Sequence, residues 1–169
     1  MAERNGAFCR EETSRDEVSR EVSPRDIAIR FLARREYARA ELETRMSAKG
    51  LDSADIRQAL DDLAREGLQS DARFAEVFVR SRIARGQGPV KIRVDMAQRG
   101  IDESLMSLAF ESEAPDWNEL ASQALAKRFD SPGSTPRDRA RRERFLAGRG
   151  FEFEQVHHAM RHAWPSGTP

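Results

Sequence analysis

Glycine returns at a fixed interval in this chain. Gly50, Gly100 and Gly150 stand fifty residues apart, and their surroundings return with them. Four positions earlier stand Met46, Met96 and Leu146. One position later stand Leu51, Ile101 and Phe151, followed by the acids Asp52, Asp102 and Glu152. Ile56, Met106 and Val156 come six positions after each glycine, and Ala59, Ala109 and Ala159 nine after. A helix can close on a left-handed glycine, with the next residue folding back onto the last turn. That pairs Met46 with Leu51, Met96 with Ile101, and Leu146 with Phe151. The acid that follows is a suitable cap for the next helix. Such a repeat permits an all-α chain of three tandem three-helix units. Units of this size are marginal alone and gain by stacking, so an elongated, curved array is expected. A single compact bundle is the alternative.

Helix signals fill in each unit. Ser23-Pro24-Arg25-Asp26 reads as a capped start, with Ile27, Ala28, Phe31 and Leu32 as one apolar face. A second helix is expected from about Ala38 to Lys49, with Leu42 and Met46 inward. Asp52 opens a third, with Ile56, Ala59, Leu60 and Leu63 inward, and Gly67 stops it. In the next unit Ser70 caps a helix carrying Phe74, Val77 and Phe78. Gly86-Gln87-Gly88-Pro89 breaks it, Ile92 and Met96 face inward, and Asp102 caps a helix with Leu105, Met106, Ala109 and Phe110. Asp116-Trp117-Asn118-Glu119 opens the third unit, with Leu120, Ala121, Ala124, Leu125 and Phe129 inward. Thr135-Pro136-Arg137-Asp138 repeats the first cap, and Phe145, Leu146, Val156, Ala159 and Met160 complete the pattern. The expected boundaries are 23–70, 71–114 and 115–164. Residues 1–22 lack apolar periodicity and read as a disordered tail, and 165–169 as a frayed end.

Charge is balanced overall, with 29 bases and 29 acids, but it is banded. Residues 72–101 hold seven bases and two acids. Residues 102–120 hold six acids and no base. Residues 121–169 hold nine bases and five acids. Cys9 is the single cysteine, so no intrachain disulfide can form, which fits a reducing compartment. No apolar run reaches the length of a membrane span, and residues 1–22 lack a signal peptide's apolar core. A cytoplasmic protein is expected.

No pattern here argues for catalysis or for a cofactor or metal. Gly86-Gln87-Gly88-Pro89 lacks the lysine and hydroxyl residue of a phosphate loop and reads as a helix break. His158 and His162 are one helical turn apart, but no third ligand accompanies them. The arginine clusters are the candidate binding residues. Arg34, Arg35 and Arg39 crowd the first helix junction. Arg80, Arg82, Arg85, Lys91, Arg93 and Arg99 flank the central break. Arg137, Arg139, Arg141, Arg142 and Arg144 gather at one helix start of the third unit. They suit phosphates or an acidic protein face. A helix–turn–helix reader of duplex DNA is disfavoured. Its recognition helix would begin with Asp52 and Asp55, Asp102 and Glu103, or Glu152 and Glu154, all repelled by phosphate.

Several stretches, in order, resemble the RecX family of recombinase regulators. They are Ala33-Arg34-Arg35-Glu36-Tyr37-Ala38-Arg39-Ala40-Glu41-Leu42, Lys49-Gly50-Leu51-Asp52, and Gly67-Leu68-Gln69-Ser70-Asp71-Ala72-Arg73-Phe74-Ala75 with Arg80-Ser81-Arg82. Gly86-Gln87-Gly88-Pro89, Arg99-Gly100-Ile101-Asp102, Lys127-Arg128-Phe129 and Arg144-Phe145-Leu146-Ala147-Gly148-Arg149-Gly150-Phe151 follow. Tyr37-Ala38 departs from the family, which tends to offer a Ser or Thr cap there. The resemblance implies tandem three-helix repeats and a regulator without catalytic residues. It implies binding along the groove of the RecA–single-stranded DNA filament, limiting ATP hydrolysis, filament growth and strand exchange in recombination, DNA repair and the SOS response. A monomer is expected. The alternative is a module that binds single-stranded DNA directly and competes with the recombinase. Tyr37 and Trp117 are expected to be its chief exposed aromatics, a small stacking platform.

Overall fold

The computed structural model describes residues 23–164, which form nine helices and no strand. Helices α1 (Pro24–Leu32), α2 (Arg39–Ser47) and α3 (Ser53–Arg65) make the first three-helix domain. The second is α4 (Asp71–Ala84), α5 (Pro89–Ala97) and α6 (Glu103–Glu113). The third is α7 (Trp117–Arg128), α8 (Pro136–Gly148) and α9 (Phe153–His162). The expected tail and frayed end at 1–22 and 165–169 lie outside the described residues.

Each domain has its own apolar core. The first packs Ala28, Tyr37, Leu42, Met46, Ile56, Leu60 and Leu63. The second packs Phe74, Ala75, Val79, Ile92, Met96, Ile101, Met106, Ala109 and Phe110. The third packs Ala121, Leu125, Leu146, Phe151 and Ala159. Truncating a fully buried side chain such as Leu60 to alanine in so small a core removes about 2–5 kcal/mol.

The fifty-residue repeat is visible in the backbone. Gly50, Gly100 and Gly150 adopt φ of 81°, 75° and 86°. After two of them the chain turns back as expected. Ile101 N–H donates to the Met96 carbonyl at 3.2 Å, and Phe151 N–H to that of Leu146 at 3.2 Å. This bond satisfies a carbonyl that the helix end leaves open. Asp52 caps α3 through the amides of Ala54 (2.7 Å) and Asp55 (3.4 Å), and Asp102 caps α6 through Leu105 (2.9 Å). At α9 Gln155 reaches back, its Oε1 accepting from the Glu152 backbone N–H at 2.9 Å.

Some expectations need correction. Tyr37 is 7% exposed, its ring edge-on to Phe31 in the first core, so it offers no free aromatic face. Trp117 is half-buried between the second and third cores, 5.7 Å from Phe110. Val77 is exposed, and Val79 takes the inward place on α4. Helix α2 is shorter than expected, because residues 48–50 form the closing turn.

The domains meet at the starts of the first two middle helices. Helix α2 has no cap of its own, since Ala38 carries no acceptor. Instead the second domain supplies one. Arg39 N–H donates to Asp71 Oδ1 at 2.8 Å, and Gln69 Nε2 holds the same oxygen at 2.8 Å. Helix α5 likewise begins at Gly88 without a side-chain cap. Here the third domain supplies carbonyls. Gly88 N–H donates to Arg149 O at 2.9 Å and Val90 N–H to Gly150 O at 3.0 Å. The approach is so close that a Cβ on Gly88 would lie 2.4 Å from the Gly150 carbonyl. Helix α8 caps itself, the Thr135 hydroxyl accepting from Asp138 N–H at 3.1 Å.

Candidate partner-binding surface

The two domain junctions leave grooves beside them, and basic side chains gather there. The groove between the second and third domains encloses about 430 Å³. Arg85, Lys127, Arg128 and Arg149 line it, with Gln123 and the half-buried Ile83, Leu120, Ala124 and Phe145, and no acid does. Arg149 is held in place across the junction, donating from Nη1 to the Arg85 carbonyl at 2.8 Å. Its guanidinium lies 5.0 Å from the Phe145 ring centroid.

The groove between the first and second domains encloses about 270 Å³ and shares Arg85. Arg35, Arg82 and Arg99 line it with Glu36, Glu41, Phe74, Val77, Phe78 and Ser81. Arg82 and Arg99 cover Phe78 at 4.5 and 5.1 Å. Arg35 stacks on Tyr37 at 3.6 Å. Glu41 sits between Arg35 (3.6 Å) and Arg99 (3.5 Å) and joins the two domains. Together the grooves carry seven bases and two carboxylates, with Arg35, Glu36 and Glu41 from the first domain, Arg82, Arg85 and Arg99 from the second, and Lys127, Arg128 and Arg149 from the third.

The candidate arginines therefore divide. Arg35, Arg82, Arg85 and Arg99 share this surface. Arg39 is spent on Glu43 (3.0 Å) and Asp61 (2.7 Å). Burial alone would lower its affinity for the proton, but these two carboxylates raise it overall. Arg80 is spent on Glu113 at 2.6 Å, and hydrogen bonding to that carboxylate raises its pKa. Arg93 pairs with Glu103 at 2.6 Å and covers Phe110. Arg139 pairs with Glu143 at 2.9 Å. Arg142 is buried and cannot dock a partner. It pins the loop before α8 through the carbonyls of Ser131 and Asp138, both at 3.0 Å, with Phe129 under its guanidinium. Lys91 stands against Gly150 at the junction. Arg34, Arg137, Arg141 and Arg144 are exposed outside the two grooves.

The sequence reading passed over Lys127, Arg128 and Arg149 as candidates. The signal was present, since Arg149 repeats Arg99 at fifty residues, but only the fold brings α7 beside Arg85. It also passed over Phe153, 78% exposed and stacked on His157 with the ring planes 8° apart. Phe153 lies between Glu152 and Glu154, away from both grooves. Among the described residues, no helix is long and apolar enough to cross a membrane.

Three family models match the chain in tandem. They are described as the first, second and third three-helix domains of RecX and cover residues 25–63, 70–109 and 116–160. A Regulatory protein RecX of Chromohalobacter salexigens is 62% identical over 125 residues, which are 74% of this chain and 82% of that one. A Regulatory protein RecX of Acidithiobacillus ferrooxidans is 41% identical over 121 residues, 71% of this chain and 77% of that one. Two solved structures share the fold at 20% identity. A crystal structure of regulatory protein RecX has a TM-score of 0.73 over 82% of this chain and 72% of its own. A crystal structure of RecX from Lactobacillus salivarius has a TM-score of 0.69 over 83% and 94%. Built as three helical domains, the first two with middle helices capped by the domain that follows, and matched domain by domain, the chain belongs to the RecX family of regulatory proteins.

Proposed function

We propose that this chain binds the RecA–single-stranded DNA filament and restrains its ATPase, its extension and its strand exchange. It would act as a cytoplasmic monomer of three domains, bounded at 23–70, 71–114 and 115–164, and without catalysis of its own. One observation carries this reading within the family. The net-positive double groove takes three charged residues from each domain, so it suits a partner extended along the chain. A small ligand would need only one junction.

Direct capture of single-stranded DNA has less support. Stacking of bases needs free ring faces. In the grooves Phe78 is covered by Arg82 and Arg99, and Phe145 by Arg149. Tyr37 is buried and Trp117 half-buried. Co-sedimentation tests both readings. The chain should pellet with recombinase filaments and stay in solution with naked single-stranded DNA at the same salt. Arg82→Glu with Arg85→Glu should lose filament binding and relieve ATPase inhibition while circular dichroism is unchanged. Full inhibition by that folded variant would remove the groove from the assignment.

A further inference from the structure

The groove between the second and third domains differs from a phosphate track in its floor. Leu120, Ala124, Phe145 and Ile83 present half-buried apolar surface beneath a rim of four bases. No carboxylate lines it, whereas Glu36 and Glu41 line its neighbour. A nucleic-acid backbone would satisfy the rim and leave the floor wet. Bases could cover the floor only by stacking, and the Phe145 ring is taken by Arg149. An aliphatic or aromatic side chain set among carboxylates would satisfy both at once, burying apolar area while pairing with Lys127 and Arg128.

We propose that this groove receives an acidic segment of the protein partner, one carrying a large apolar side chain among its carboxylates. The proposal rests on the reading that the chain docks on a protein filament, and it names the part of that filament this groove holds. Arg149 serves as a fixed anchor, because its hydrogen bond to the Arg85 carbonyl and its stacking on Phe145 order the guanidinium before binding. Lys127 and Arg128 are exposed at the end of α7, where they can close over the segment.

The test uses the full chain and a fluorescein-labelled peptide of Glu and Asp with one Leu and one Phe. Its controls are the same peptide with Ser at both apolar positions, and an oligothymidylate of equal charge. The apolar-containing peptide should bind about tenfold more tightly than the serine control. Lys127→Glu with Arg128→Glu should weaken it by about tenfold or more. Gln123→Glu, a near-isosteric change on the exposed rim, should weaken it in the same direction. Equal affinity for the serine control overturns the proposal. So does indifference to both variants, and so does a preference for oligothymidylate, which would assign the groove to phosphates. Filament co-sedimentation separates this proposal from the reading beneath it. If Lys127→Glu with Arg128→Glu loses the filament while the wild-type chain ignores the peptide, the acidic segment is wrong and the filament reading stands. If the peptide binds as expected but the wild-type chain does not pellet with filaments, the filament reading is wrong and the groove's preference stands.

Discussion

The two domain junctions meet the same need with different chemistry. A middle helix begins without a cap, and the next domain provides one. At α2 the provider is a carboxylate, Asp71, backed by ion pairs from Glu36 to Arg73 and from Glu41 to Arg99. At α5 it is the backbone, with the Arg149 and Gly150 carbonyls on the amides of Gly88 and Val90. Carboxylates and ion pairs near the surface are weakened by salt and act through flexible side chains. Carbonyls carry no charge to screen, but they demand a close approach that only glycine allows. The second and third domains should therefore move as one body, and the first should swing against them more readily.

The largest effect should come from filling the tight junction. Gly150→Ala forces a left-handed residue at φ 86° and puts a Cβ 2.3 Å from that of Lys91. Gly88→Ala meets the Gly150 backbone at 2.4 Å. Each should cost about 3 kcal/mol in urea unfolding. Gly50→Ala is the control, because its φ is 81° with nothing within 4 Å. It should cost only the backbone term, about 1–2 kcal/mol. Equal costs at Gly50 and Gly150 would mean that the second junction is not close-packed.

A smaller effect is expected at the other junction. Asp71→Ala removes the cap of α2 and should cost about 1–2 kcal/mol, with Asp71→Asn milder. Hydrogen exchange should show the Arg39 amide opening in Asp71→Ala while the Val90 amide stays protected. Salt should act more weakly again. Raising it should loosen the first junction by about 0.5 kcal/mol per ion pair and leave the Gly88 and Val90 amides unaffected.

The smallest effect is that of acid. The Asp102 carboxyl is held below its ordinary value of 3.8, chiefly by the Ser104 hydroxyl and then by the Leu105 amide. The Asp138 carboxyl is lowered from the same value chiefly by the Thr135 hydroxyl. A depressed carboxylate stabilises the fold above its unfolded pKa, and that stabilisation fades as pH falls through the folded one. Protection at the starts of α6 and α8, taken relative to the intrinsic exchange rate at each pH, should therefore fall below about pH 4, where carboxylates begin to take up protons. The carbonyl-capped start of α5 should not follow them.

Much of the fold was legible because its signals are local. A glycine turn, an acid cap and a helical apolar stripe each sit within one stretch of chain, and fifty-residue repetition multiplies them. What escaped is what one domain does for another. Ala38 reads as a poor cap because the carboxylate that serves in its place, Asp71, lies 32 residues beyond the Arg39 amide it holds. Tyr37 reads as exposed because the core that covers it comes from three helices. The arginines look alike in sequence, and the fold sorts them. Arg80 and Arg93 meet acids on α6, Arg142 is buried under a loop, and Arg85 has Arg128 and Arg149 brought to it. Charge banding showed where bases were plentiful. It did not show which of them helix packing would neutralise.

Helix α8 differs from its two counterparts in finishing its own start. Thr135 takes the Asp138 amide from within its own domain, and Arg142 ties the preceding loop down over the same end. The start of α8 should therefore keep its order when either junction is loosened, whereas the starts of α2 and α5 lose theirs with the neighbour that caps them.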